Sequence, residues 1–122
     1  MAALSLTRGD TGIFTTTISN LSAGGLTGYS AWFTAKRDPS DPDTAAVFQK
    51  TITGGSIAIT TAGNATTPGV LTTTVVPADT DTLPTGYAVL LVYDVKVKDT
   101  GGVETTVDSG TILVSADVTN AV

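Results

Sequence analysis

The groups in this chain most suited to chemistry are aspartate carboxylates, which cluster in two loop-like segments. Asp38, Asp41 and Asp43 share the segment DPSDPDT, and Asp79 and Asp81 share PADTDT. Clustered carboxylates can bind Ca²⁺, but that ion takes about six to eight oxygen ligands and neither segment has EF-hand spacing. Asp and Pro are also the usual residues of solvated turns. We therefore expect no metal site, and calcium binding at these loops is the alternative.

The residues most often used in catalysis are missing or isolated. The chain contains no histidine and no cysteine, and Glu104 is its only glutamate. Catalysis would then need paired carboxylates, or a Ser or Thr activated by Lys. Glu104 lies beside a turn, and Lys96 and Lys98 alternate along a strand where they are expected to be solvated. We predict that the protein is not an enzyme and has neither catalytic nor cofactor-binding residues.

Three short motifs have a local explanation. Arg8-Gly9-Asp10 is the tripeptide that many integrin ligands present, but Gly9 and Gly12 are also typical of a turn that needs positive φ. Asn20-Leu21-Ser22 and Asn64-Ala65-Thr66 match the glycosylation acceptor pattern. The N-terminus has no basic segment followed by a long apolar core, so we expect no secretory signal. All three motifs are interpreted as ordinary turns and loops.

Composition limits the possible partners. The formal charge is −5, and only 14% of the residues are charged. An acidic chain does not suit phosphate contacts, and no apolar run of about eighteen residues could span a membrane. The chain has 25 threonines, many in runs such as IFTTTIS and VLTTTVV, which favour strands. A polar but weakly charged surface is more typical of a protein packed against neighbours than of a free monomer. We expect neither nucleic acid nor membrane as a partner.

Short strands punctuated by Gly, Pro, Asn and Asp fill the chain. We predict an all-β fold, an immunoglobulin-like antiparallel β-sandwich of about 7–9 strands, as a single domain over residues 1–122. RGDTG is predicted as the first hairpin, DTGG as the last, and residues 77–86 as holding one helical turn. The strands are predicted at the following residues: 3–7, 13–19, 29–37, 47–52, 56–60, 70–76, 87–98, 103–108 and 111–118.

Alternation assigns the faces of two strands. Odd positions from Tyr87 to Val97 are large and apolar and should face the core, and Phe33 should do so in residues 29–37. If these strands are neighbours, Trp32, Leu90 and Val92 share one outer surface and form a candidate partner interface. The alternative is that Trp32 is the buried tryptophan common in such sandwiches.

Several stretches carry a family resemblance. They are LTRGDTGIFTTTIS, then YSAWFTAKRDPSDPDTAAVFQKTITGGSI, then PADTDTLPTGYAVLLVYDVKVKDTGGVETTVDSGTILVSADVT. Together they resemble the small immunoglobulin-like domain of tailed bacteriophages, typified by the N-terminal domain of the baseplate upper protein. The stalk and receptor-binding-protein docking region that follow that domain have no counterpart in these 122 residues, so their function is not carried over.

The resemblance implies a non-catalytic structural module of the virion, assembled in the bacterial cytoplasm, that docks onto other virion proteins. It favours a location in the tail or baseplate, with repeated or homo-oligomeric copies. A capsid decoration protein bound to the major capsid protein is one alternative. A carbohydrate- or cell-surface-binding adhesion module is another, because Trp32 with Tyr29 could stack on a sugar ring.

Overall fold

Two β-sheets form a sandwich in the computed structural model, which describes residues 2–84 and 86–116. The five-stranded sheet has the order β1-β8-β7-β3-β4, and the three-stranded sheet has the order β2-β6-β5. Short 3-10 turns lie at Asp43–Ala45 and Pro77–Asp79. The strands are β1 (Ala2–Thr7), β2 (Gly12–Ile18), β3 (Ser30–Lys36), β4 (Phe48–Thr51), β5 (Ile57–Thr61), β6 (Gly69–Val75), β7 (Val89–Lys98) and β8 (Glu104–Ser115).

The fold is an immunoglobulin-like β-sandwich, as predicted. The chain crosses between the sheets after β1, β2, β4 and β6. β3 pairs with β7, and these are the strand neighbours on which the predicted outer surface depends. The eight strands fall within the predicted number. One pairing differs, because β1 runs parallel to β8 while the other paired strands are antiparallel. No helix in the described part of the chain has the length and apolar character needed to cross a membrane.

Two predicted strand boundaries were wrong. The two last predicted strands are one strand, β8, whose register against β7 shifts between Val95 and Lys96. Ser109 and Gly110 were predicted to separate these two strands, but Gly110 lies in β8 opposite the bulky Tyr93. The predicted strand at 87–98 begins at Val89, so Tyr87 precedes it and is 59% exposed rather than in the core. The predicted end of the last strand, residues 117–118, lies outside the described residues.

The connection RGDTG is not a hairpin, which corrects a third prediction. β1 belongs to the five-stranded sheet and β2 to the three-stranded sheet, so residues 8–11 carry the chain from one sheet to the other. The predictions of the last hairpin and of the helical turn are confirmed. Residues 99–103 form the turn between β7 and β8, and the helical turn expected within residues 77–86 is the 3-10 turn Pro77–Asp79.

An aromatic cluster lies at the centre of the core. Phe33 is 1% exposed, and its ring stacks on those of Tyr93, Phe14 and Phe48 at centroid distances of 5.0, 5.8 and 6.0 Å. Such stacked pairs stabilise a core beyond the area that they bury. The alternation that placed Phe33 and the odd positions of β7 from Val89 to Val97 inside is confirmed.

Candidate interaction surface

The outer face of the five-stranded sheet carries the three residues predicted as an interface. In β7 the residues between the buried ones point outward, which places Leu90 and Val92 on this face. Trp32 is the Cα partner of Lys96 on β7 and of Thr51 on β4, and it is half-buried. The core position of β3 belongs to Phe33, so Trp32 is not the buried tryptophan of the alternative interpretation. All three residues therefore share one face of one sheet.

The strand pairing places the three residues at two separate positions on this face. Trp32 and Val92 line a surface depression of about 440 Å³, together with charged and polar residues from four strands. Leu90 is outside that lining and is 58% exposed. Its direct partner on β8 is Leu113, which is 44% exposed. The face thus offers a mixed depression at one place and an exposed leucine pair at another.

Sequence reasoning missed Leu113, although a signal for it was present. In GTILVS the buried residues are Gly110, Ile112 and Val114, so the alternation places Leu113 outward. The break predicted at residues 109–110 between two separate strands hid this pattern. Opposite residues in an antiparallel pair have Cβ atoms about 4.5–5.5 Å apart, so Leu90 and Leu113 form one apolar unit on the surface.

The floor of the depression is polar and partly charged. Asp94 on β7 faces Thr34 on β3 and Ser109 on β8, and Lys96 occupies the next outward position of β7. Lys36 at the rim contacts the loop that follows β3, donating to the Asp41 carbonyl at 2.8 Å and pairing with the Asp43 carboxylate at 2.8 Å. The hydrogen bond from Lys36 lowers the pKa of Asp43. The loop next to the depression is therefore held in place by an ion pair.

Three of the five carboxylates considered for calcium, those of Asp38, Asp43 and Asp79, have other bonding partners. Asp38 accepts hydrogen bonds from the Ser40 amide and hydroxyl at 2.9 and 2.8 Å, and the backbone bond is the larger cause of its lowered pKa. The Asp79 carboxylate accepts from the Val76 amide and pairs with Lys50, both at 2.7 Å. Among residues 2–84 and 86–116, no three acidic side chains are grouped in a way that could hold a metal ion.

The RGD segment is a structural turn. Gly9 has φ of 80°, a conformation that a side chain rarely adopts. Its amide donates to the Thr80 hydroxyl at 2.9 Å, and the Asp10 amide closes the turn on the Thr7 carbonyl at 3.0 Å. Arg8 donates to backbone carbonyls of the loop that contains Asp81, at 2.9 and 3.3 Å. The predicted turn with positive φ is confirmed at Gly9 but was wrong for Gly12, which begins β2 and does not have positive φ.

The loop motif Asn64-Ala65-Thr66 also has a local role. The Asn64 side-chain oxygen accepts from the amide and hydroxyl of Thr66, both at 2.9 Å, and from the Thr67 amide at 2.8 Å. This is the pattern by which an Asn side chain fixes a turn. Asn20, in the other motif, has φ of 60°, which Asn tolerates better than most residues. Both motifs lie in loops, as predicted.

Comparison with known proteins adds no relative. No protein-family description matches the chain, and no match is found among curated proteins. The fold and the surface geometry define the chain as an immunoglobulin-like sandwich with a candidate interaction face on its larger sheet.

Proposed function

We propose that this protein is a structural virion protein of a tailed bacteriophage that docks onto other virion proteins. Two kinds of support exist. The sequence resembles the immunoglobulin-like domain of the baseplate upper protein over nearly all of its length. The fold has the sandwich architecture that this resemblance implies. A tail or baseplate location is favoured within the proposal, and capsid decoration is the alternative.

The observation that carries the proposal is the exposed Leu90–Leu113 pair on a sheet face next to the Trp32 depression. Large apolar side chains that adjoin on a flat surface are typical of protein contacts. Aromatic anchors such as Trp32 commonly dominate the binding energy of such contacts. The mixed charges of Asp94 and Lys96 on the same face suit a partner surface with complementary charge, which orients docking more than it strengthens it.

Quantitative mass spectrometry of purified virions tests the location. A few copies per particle would indicate tail or baseplate, and hundreds would indicate the capsid. Cryo-electron microscopy of the same particles would identify the partner. Absence of the chain from purified particles would refute the proposal.

Interface variants test the surface. Leu90→Asp and Leu113→Asp each place a charge where an apolar contact is proposed, so incorporation into particles should fall strongly in a complementation assay. Val103→Asp is the matched control, because Val103 is 61% exposed in the turn before β8. If all three variants are incorporated like the parent protein, docking uses another surface.

A second function, carbohydrate binding, is favoured by the Trp32 depression itself. The half-buried Trp32 ring beside polar groups is a suitable platform for a sugar ring, and Gln49 and Asp94 could hydrogen-bond to the sugar hydroxyls. Tyr29 cannot act with Trp32, because it is packed against the core on the opposite side of the sheet. Glycan-array binding that is lost in Trp32→Ala and kept in Leu90→Asp would support this function over protein docking.

A further inference from the structure

The edges of the two sheets differ in how well they are protected against pairing with another chain. β4 is only four residues long and carries Lys50, which points inward and pairs with Asp79. β5 has an irregular register against β6 between Ile59 and Thr61. Short strands, inward charges and bulges are the usual devices that prevent edge-to-edge association. Two of the four sheet edges are therefore blocked.

The edge strand β2 has none of these devices. Its seven residues, GIFTTTI, pair in continuous register with β6 and contain no charge and no proline. β1 is the other uncharged edge. A groove of about 320 Å³ lies between β1 and β2 and is lined by Ser5, Leu6 and Phe14 among others. Phe14 is a core residue that stays half-buried at this groove. An uncharged, regular edge of this length is a template for another strand.

The distribution of charge indicates which chain could supply the strand that pairs with β2. None of the charged residues of the chain lies in β2, β5 or β6, although the chain carries a net charge of −5. Two copies that meet through β2 bring no charged strand residues together, and antiparallel pairing about a two-fold axis places each strand against the same uncharged sequence. A two-fold contact uses the same patch on both copies, so the patch must be complementary to itself.

We propose that two copies of this chain associate through antiparallel pairing of their β2 strands, which joins the two three-stranded sheets into one six-stranded sheet. The free backbone edge of β2 supplies the hydrogen bonds. With the axis at Thr16, the outward Thr15 of each copy faces Thr17 of the other copy. The inference concerns the purified chain alone. A monomeric result would leave the proposed docking on the virion untouched.

The test is sedimentation velocity of the purified protein over micromolar to submillimolar concentrations. The parent protein should show a concentration-dependent dimer. The double variant Thr15→Lys/Thr17→Lys should weaken association roughly tenfold or more, because like charges then lie opposite one another on both sides of the axis. Hydrogen exchange at β2 amides should slow as the parent protein dimerises and stay constant in the double variant.

The matched control is Ala58→Lys/Thr61→Lys, which adds the same two charges to β5 at the opposite edge of the same sheet. It should dimerise like the parent protein. A parent protein that is monomeric at every concentration overturns the proposal. A dimer weakened equally by both double variants also overturns it, because the contact would then be the face of the sheet and not the β2 edge.

Discussion

Replacing Thr73 by Val should make the protein more stable, although the change removes a polar group from a strand rich in threonine. Thr73 is 1% exposed, in the middle of β6, where its Cα partners are Phe14 and Ile57. Its hydroxyl oxygen is buried and has no hydrogen-bond partner among the described residues. An unsatisfied buried polar group costs about 1–3 kcal/mol. Val has nearly the same shape and is equally suited to a strand.

The expected gain is therefore about 1–3 kcal/mol in the free energy of unfolding. For a chain of this size it corresponds to a rise in Tm of about 4–12 °C. Urea unfolding followed by tryptophan fluorescence and circular dichroism measures it, and coincident transitions would support the two-state treatment. The slope of the transition should not change, because the surface exposed on unfolding is nearly the same.

Thr80→Val is the matched control for this prediction. Thr80 is 0% exposed, but its hydroxyl accepts the Gly9 amide at 2.9 Å and lies 3.4 Å from the Pro77 carbonyl. The same substitution here leaves the Gly9 amide unpaired, so stability should fall by about 1–3 kcal/mol. If Thr73→Val destabilises the protein as much as Thr80→Val does, the Thr73 hydroxyl has a partner, such as a buried water, and the reasoning is refuted.

Three further perturbations follow from the same geometry. Gly9→Val should cost about 1–3 kcal/mol in a thermal unfolding assay, because φ is 80°, whereas Gly24→Val in open space should be nearly neutral. Asp79→Asn should lower stability by roughly 2–4 kcal/mol in chemical unfolding, since it leaves the largely buried Lys50 ammonium without its counter-ion; an unchanged midpoint would contradict this. Burial, then a hydrogen bond to a carboxylate, raises the pKa of Tyr93 to about 12, so one of the three tyrosines should ionise late in an absorbance titration and Tyr93→Phe should remove that step. Because the unfolded chain loses this proton near pH 10, the contribution to stability should fall as pH rises from about 10 to 12.

The period-two pattern was enough to place most side chains, because in a sandwich each strand has one face inside and one outside. It assigned Phe33 and the buried positions of β7, and it identified the outward position of Trp32. It failed at Tyr87, because alternation does not show at which residue a strand begins to pair with its neighbour. The β7–β8 pairing begins at Val89 opposite Val114, and Gly86 just before it has φ of 86°.

Local turn signals were less informative, since they describe bending and not pairing. Gly110 was predicted to separate two strands, but a glycine opposite the large ring of Tyr93 can equally serve packing inside a strand. Leu113 was missed for this reason. The Asp and Gly residues of RGDTG indicated a turn correctly, but no local residue type could show that β2 joins the other sheet.

The segment Arg8-Gly9-Asp10 matches an adhesion motif by residue type, but its contacts do not suit adhesion. An adhesive tripeptide must present both charged side chains on an exposed, mobile loop. Here the Arg8 guanidinium is committed to backbone carbonyls of Asp81 and Leu83, at 2.9 and 3.3 Å. Gly9 is bonded to the buried Thr80 hydroxyl in the same loop. The tripeptide therefore attaches the connection between the two sheets to the loop of Asp79, whose carboxylate pairs with Lys50 on β4. Of its two charged side chains, that of Asp10 alone is left exposed for recognition.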